Sequence, residues 1–413
     1  MKERFRNHAQ LISGNLPTNG DFQVALESML GGTGDLDWES QTEYDAGTPF
    51  LPGDVLFGKL RPYLVKVWLA DRPGYAVGDI HVYRPRPGVV PNFLKYVVLD
   101  REFIRRVDAG TYGAKMPRAD WGDIREIEVC FPSVDKQRAI ADYLNRETAQ
   151  IDAMIVAQTS LLECLRERSL AGLRSYITGR DHNGPKQASG EAWVGDVPSH
   201  WEVRPMRSLF GTIGSGTTPL NEFLLDADDD AVQWVTTSEL RERAIQRTKQ
   251  TLSRETLLRT PALRLYDPGT LLVAMYGATI GRLGWLDVQA CTNQACCAFA
   301  KPRGVLPSFA FFALWAAREH LIVLGAGGGQ PNLNQQKLRS LRIPVPPLDE
   351  QGEITARIEA EGAGMANVVD AGQQVIELLR ERREALITAA VAGRIDPKTG
   401  IEQIVPMAEK EAS

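Results

Sequence analysis

Two stretches of the chain carry apolar residues at heptad spacing and almost nothing that breaks a helix. In the first, Leu144, Ile151, Gln158 and Leu165 form one series, and Ile140, Met154 and Leu161 belong to the other. Between Lys136 and Ile177 there is no proline and one glycine, Gly172. The pattern predicts a single helix of roughly 42 residues, on the order of 60 Å long at about 1.5 Å per residue. In the second stretch, Glu350 to Val391, the residues Ile354, Ile358, Met365, Val368, Val375 and Leu379 keep the same register 214 positions later. A helix this long is not stable alone in water and needs a partner along its seam. Each helix is the obvious partner of the other, and a globular unit between them predicts antiparallel packing. Gly362, Gly364 and Gly372 each cost roughly 0.5–1 kcal/mol against Ala in a helix, so the second helix is expected to be weaker or kinked.

The repeat reaches beyond the helices. Asp135-Lys136-Gln137 recurs as Asp349-Glu350-Gln351, Leu165-Arg166-Glu167-Arg168 as Leu379-Arg380-Glu381-Arg382, and Gly179-Arg180 as Gly393-Arg394, all at an offset of 214. Ahead of the first helix, short apolar runs broken by Gly and Pro (Phe50 to Tyr63, Leu64 to Leu69, Gly78 to Tyr83, Ile127 to Phe131) read as strands and turns. Pro91 to Val107 reads as a helix with Phe93, Tyr96, Val97 and Phe103 inward. Pro268-Gly269-Thr270-Leu271-Leu272-Val273 mirrors Pro52-Gly53-Asp54-Val55-Leu56 at an offset of 216, and Phe309 to Leu324 mirrors the helix. Turn formers dominate residues 181–199, which read as a linker. Two variable units and two constant helices suggest two reading heads held apart by spacers.

Composition narrows the classes. The chain has 413 residues, 43% hydrophobic and 24% charged, ordinary for two or three packed domains. A net charge of −5 and a pI of about 5.7 exclude a simple DNA coater, though not a local basic patch. Positive charge is mostly arginine, which suits bidentate base and phosphate contacts. No run of 18 apolar residues predicts a membrane span, and Met1-Lys2-Glu3-Arg4-Phe5-Arg6 lacks the apolar region of a signal peptide behind it. Five cysteines, an odd number without regular spacing, read as reduced, buried thiols of a cytosolic protein; Cys291, Cys296 and Cys297 cluster, but no CxxC or histidine pair accompanies them.

Catalytic signatures are missing from the sequence. It has no GxxxxGK[ST] phosphate loop, and Pro346-Pro347-Leu348-Asp349 lacks the aromatic residue with which amino-methyltransferases stack a flipped base. The five histidines have no metal-ligand spacing. Asp396-Pro397-Lys398 is the one acidic-x-Lys run and lies in a turn-rich tail. Gly214-Ser215-Gly216-Thr217-Thr218-Pro219 reads as a structural turn or a phosphate-binding loop.

Pro344-Val345-Pro346-Pro347-Leu348-Asp349-Glu350-Gln351 before the second helix, and its weaker copy Phe131-Pro132-Ser133-Val134-Asp135-Lys136-Gln137 before the first, resemble the specificity subunit of type I restriction-modification systems. So do Val197-Pro198-Ser199-His200-Trp201-Glu202 and the Gly-rich turns Gly110 to Pro117 and Gly325 to Asn332. The first unit lacks the Pro-x-x-Trp approach that the second has. The resemblance implies an α+β chain: two α/β target-recognition domains separated by two long antiparallel helices that form a coiled-coil spacer, with a pseudo-twofold internal repeat. The corresponding boundaries are 1–131 for the first recognition domain, 132–180 for the central spacer helix, 181–199 for the linker, 200–345 for the second recognition domain, 346–396 for the second spacer helix and 397–413 for a tail. It also implies a non-catalytic subunit in the cytoplasm of a bacterium or archaeon, reading a bipartite site in double-stranded DNA. Its partners would be two methyltransferase subunits and, in restricting systems, translocase-nuclease subunits. S-adenosylmethionine, ATP and Mg2+ would sit on those partners, and none on this chain.

Candidate reading residues follow from loop position and side-chain chemistry. In the first unit they are Lys59, Arg61 and Tyr63 after a strand, and Tyr112, Lys115 and Arg118 in the Gly-rich turn. In the second they are Tyr276, Thr279 and Arg282 after the matching strand, then Gln330, Asn332 and Asn334, whose carboxamides suit adenine. Thr236, with Thr237 and Ser238, could meet phosphates or cap a helix. Arg166, Arg168, Arg380 and Arg382 recur at one heptad phase, which suits either ordinary exposed helix charge or a repeated docking surface for two identical partners. Spacer helices of about 60 Å fit half-sites about 34–50 Å apart, with an unread gap under one helical turn. Lengthening both helices by four residues, about 6 Å, is then expected to lengthen the gap. A scaffold protein without a DNA role and a self-sufficient DNA-modifying enzyme are the competing readings; the loop chemistry disfavours the first and the missing motifs the second.

Overall fold

The computed structural model describes residues 2–18, 20–39, 43–113, 115–219, 224–226, 231–326 and 332–401. The chain divides into two compact units, Met1–Ser160 with Gly372–Ser413, and Leu161–Ala371. Both long helices, Val134–Thr178 and Leu348–Val391, contribute a part to each unit.

The first unit is built on a four-stranded antiparallel sheet in the order Ala9–Ile12, Ile80–Pro85, Val55–Gly58, Val67–Leu69. A second sheet joins Leu16–Pro17, Ala46–Phe50, Gly74–Ala76 and Gln23–Val24. Helices Pro91–Leu99 and Arg101–Ala109 cover the first sheet, burying Phe93, Leu94, Tyr96 and Phe103 against Phe5, Val55, Phe57 and Tyr83. Where the sequence predicts one helix, Asp100 leaves helical geometry and accepts a hydrogen bond from the Glu102 amide, so its carboxylate caps a new helix instead of continuing the old one. Ile140, Ala141 and Leu144 of the first long helix share this core with Ile387 and Ala390 of the second, and the later Asp152 pairs with the earlier Arg383, so the two segments run antiparallel here.

The second unit repeats the plan. Its main sheet runs Phe210–Ser215, Cys296–Pro302, Leu271–Ala274, Leu283–Leu286, the order of the first unit, with Ala244–Ile245 added at the edge. Helices Pro307–Ala316 and Arg318–Gly325 pack on it as in the first unit. The other sheet, Leu224–Asp226, Gln250–Leu252, Val232–Val235 and Ala290–Thr292, is joined in a different order from its counterpart. Within residues 181–199, Lys186–Ala188 pairs antiparallel with Asp196–Pro198, and Val194, Val197 and Trp201 form a small core. Gly179, at φ +65°, lies so close to Pro198 that a Cβ there would sit 2.4 Å from the proline ring. Leu173 and Ile177 pack with Ile358, and the Tyr176 hydroxyl donates to Glu361 at 2.7 Å, again an antiparallel pairing.

The seam of the first long helix differs in part from the heptad reading. Thr148, Ile151, Ile155, Gln158, Leu162 and Leu165 are the covered positions, at alternating steps of three and four. The series through Ile151, Gln158 and Leu165 holds. Met154 and Leu161, expected in the other series, are about half exposed, and their neighbours Ile155 and Leu162 take the seam. In the second helix Met365, Val369, Gly372, Ile376, Leu379 and Arg383 are covered, while Val368 and Val375 face out. The second helix includes Gly362, Gly364 and Gly372 within one continuous helix.

Candidate nucleic-acid interface

Each unit is tied to its own helix by the glutamine of the repeated motif. Gln137 sits in the first helical turn and turns its carboxamide back into the unit. Its Oε1 accepts from the Val90 amide at 2.9 Å, and its Nε2 donates to the carbonyls of Pro132 at 2.8 Å and Gly88 at 3.2 Å. Gln351 does the same: Oε1 accepts from Leu306, and Nε2 donates to Pro346 and Gly304. Both glutamines are buried. The matching frames fix where the loops at the strand ends are presented.

In the first unit the two predicted loops are stitched together. The Arg61 amide donates to the Pro117 carbonyl at 2.8 Å, Ala119 donates to Lys59, and Tyr112 and Arg118 exchange two backbone hydrogen bonds that close the Gly-rich turn. Asp79 gathers the cations: the Arg118 guanidinium lies 2.9 Å and the Lys59 ammonium 4.0 Å from its carboxylate. His81 lies beneath, its Nδ1 3.1 Å from the Tyr83 hydroxyl. Burial holds its pKa down to about 4, and the charge of Lys59 pushes the same way. Arg61 and Val65 both adopt φ +51°, left-handed conformations that flank the short turn Pro62–Leu64. That turn holds Tyr63 outward, and Tyr112 and Met116 project from the second loop, each more than half exposed. Arg61 and Lys115 are exposed as well. The surface therefore offers aromatic faces, which can stack, beside cations.

In the second unit the predicted residues converge on one end of the sheets. Tyr276 follows Leu271–Ala274 and bridges to Asn332, and the Leu333 amide donates to Met275 at 2.7 Å. Arg282 donates its amide to the Thr279 carbonyl and leads into Leu283–Leu286. The Asn334 carboxamide oxygen is occupied as the cap of Gln335–Ser340, accepting from Lys337, so its NH2 is the part left for a ligand. Thr236 caps the short helix Thr237–Glu239 in a capping box with Glu239. Gln330 lies outside the described residues. Gly214-Ser215 ends a strand, and Gly216 is there for close backbone approach: a Cβ on it would come 1.7 Å from the Thr292 carbonyl oxygen. That approach favours the structural turn.

The sequence reading missed a basic segment beside this site. Arg241, Arg243 and Lys249 are exposed and make no ion pair among the described residues. The neighbouring acids are occupied elsewhere. Glu239 accepts from the Thr236 and Lys249 amides, and Glu242 pairs with Arg318. The Glu242 amide donates to the Leu283 carbonyl, which places Arg241 and Arg243 alongside Arg282. The run Arg241-Glu242-Arg243-Ala244-Ile245-Gln246-Arg247-Thr248-Lys249 is visible in the sequence, but the acidic average of the chain hides it. Cys291, Cys296 and Cys297 are buried, and burial pushes the thiols of Cys291 and Cys297 up to about 12, whereas Cys130 at a strand end and Cys164 on the first long helix are exposed, contrary to the expected burial. Arg166, Arg168, Arg380 and Arg382 are exposed on the long helices. No single described helix is long and apolar enough to cross a membrane.

Comparison with known proteins adds the following. Residues 198–364 match the family model for the type I restriction modification DNA specificity domain. The chain is 20% identical over 362 residues, 84% of its length and 79% of the other's, to a Methanocaldococcus jannaschii protein provisionally named as the specificity subunit of the type I restriction enzyme MjaX. The fold is similar to that of a chain in the structure described as the basis of complex assembly and conformational transition of the type I R-M system, with a TM-score of 0.73, 15% identity and coverage of 95% of this chain and 97% of that one. It is also similar to the HsdS subunit from Thermoanaerobacter tengcongensis, at a TM-score of 0.51, 15% identity and coverage of 95% and 96%.

Proposed function

We infer that this chain, a specificity subunit of the type I restriction-modification family, recognises its DNA target as two half-sites, one per unit. The observation that carries this reading is a duplicated frame with unlike tips. Gln137 and Gln351 hold equivalent elements in place. On those elements the first unit presents Arg61, Tyr63, Tyr112 and Lys115, and the second presents Tyr276, Thr279, Arg282 and Asn332. Two copies of one scaffold with different side chains suit two different base sequences. Arg241, Arg243 and Lys249 are suited to the flanking phosphates, a sequence-independent contribution to affinity.

The long helices are proposed to dock two copies of a methyltransferase. Support comes from exposed features that recur at the 214-residue offset. Met154 and Leu161 on one helix correspond to Val368 and Val375 on the other, all apolar and exposed, next to Arg166 and Arg168, and Arg380 and Arg382. Apolar side chains left in solvent at equivalent positions suit identical partners arranged about a twofold. Under this reading the chain does no chemistry itself. S-adenosylmethionine belongs to the partners, as do ATP and Mg2+ where restriction subunits join, and the assembly works in the cytoplasm of its host.

The test is methylome sequencing of a host carrying this protein with its cognate methyltransferase, against a host lacking it. A new split motif that disappears on deletion is the expected result. An unchanged methylome, with both proteins expressed, refutes the reading.

A further inference from the structure

We propose that Arg383, on the second long helix, is a positioning residue that sets the Tyr63 loop of the first unit; the inference rests on the DNA-reading role above. The repeat breaks at this position. Leu379-Arg380-Glu381-Arg382 is followed by Arg383, whereas Leu165-Arg166-Glu167-Arg168 is followed by Ser169. Arg383 occupies a seam position where an apolar side chain is the rule, and only 8% of its side chain is exposed. A charge buried there must be compensated. One side of the guanidinium meets Asp152 of the first long helix, with Nε 2.9 Å from its carboxylate. The other side donates to two successive carbonyls, Gly32 at 2.6 Å and Thr33 at 2.7 Å.

Those carbonyls belong to the backing of the reading loop. The Gly32 amide donates to the Val65 carbonyl at 2.9 Å, and Gly31 pairs with Lys66. Gly31 lies so close that a Cβ on it would sit 2.6 Å from the Leu64 carbonyl oxygen. Val65 is β-branched and held at φ +51°, a conformation that persists only when its surroundings impose it. Asp152, Arg383, Gly32 and Val65 thus form a continuous link from the helices to the turn that presents Arg61 and Tyr63. Two N–H groups fixed in one plane define the height and tilt of residues 32–33, which a single ammonium cannot do. The second unit has Ser169 at the matching place and lacks this arginine, so the device belongs to one half-site.

The experiment uses the full chain with its cognate methyltransferase. Arg383→Gln and Arg383→Lys are compared with the wild type by methylome sequencing and by amide hydrogen exchange. In Arg383→Gln, discrimination between bases is expected to fall roughly tenfold or more at one half-site and to hold at the other. Exchange at residues 30–37 and 61–66 is expected to quicken. Arg383→Lys keeps the charge near Asp152 and should fall between. Equal loss at both half-sites would reduce Arg383 to a structural role and overturn the proposal, as would unaltered base preference with unaltered exchange. Should Arg383→Gln fail to fold, the same two readouts on Arg383→Lys decide. A wild type that methylates no split motif would instead sink the DNA-reading role.

Discussion

At the scale of single residues, the repeated Asp-x-Gln motif is legible in sequence, but its reason is not. The glutamine recurs because its carboxamide matches one amide and one carbonyl of a loop some 47 residues away, together with the proline carbonyl five residues before it. No local pattern announces such a partner. Removing the carboxamide strands a buried N–H and a buried C=O, at about 1–3 kcal/mol each. Gln351→Ala is therefore expected to destabilise the second unit by roughly 2–6 kcal/mol, and Gln137→Ala the first. Limited proteolysis read separately on the two units checks this; equal loss in both units for either variant would contradict it. The candidate reading residues follow from loop chemistry. The structure brings Lys59, Arg61, Tyr112 and Arg118 together, but it spends part of their bonding on Asp79 and on each other.

At the scale of elements, heptad spacing locates both long helices, yet it assigns one of the two seam series in the first helix one residue away. The first helix carries two apolar stripes side by side, Ile155 and Leu162 next to Met154 and Leu161. Periodicity alone does not say which stripe the partner helix takes and which stays in solvent. The second helix also runs on through glycines that propensity disfavours. Packing at Ile358, Ile376 and Ile387 holds the second helix across its glycines, overriding propensity. Gly362 and Gly364 have open space where a Cβ would go. Substituting both with Ala should raise stability by about 1–2 kcal/mol, at roughly 0.5–1 kcal/mol each, read by thermal unfolding. A fall would mean that the glycines answer to a close approach by a partner. The basic segment makes a second prediction at this scale. Replacing Arg241, Arg243 and Lys249 with Gln removes three charges. The slope of log affinity against log salt should drop by about 0.9 for each phosphate no longer neutralised, with the methylated motif unchanged. An altered motif would assign these residues to bases.

At the scale of the whole molecule, the spacer idea depends on two helices that share a 3.5-residue seam and run antiparallel. Both conditions limit how the spacer can be lengthened. Four extra residues add about 6 Å but shift the seam out of phase, a stutter that locally unwinds the pair. Seven residues restore the phase and add about 10 Å at 1.5 Å each, equivalent to roughly three base pairs at about 3.4 Å. Asp152 faces Arg383, so insertions must be placed opposite one another, one after Gln158 and one after Ile376. With both in place, the methylome should keep both half-site sequences and widen the gap by about three base pairs. With one alone, the seam loses its register and methylation should fall. An unchanged gap in the double insertion would mean that the separation of the half-sites is set by the partner subunits and not by these helices.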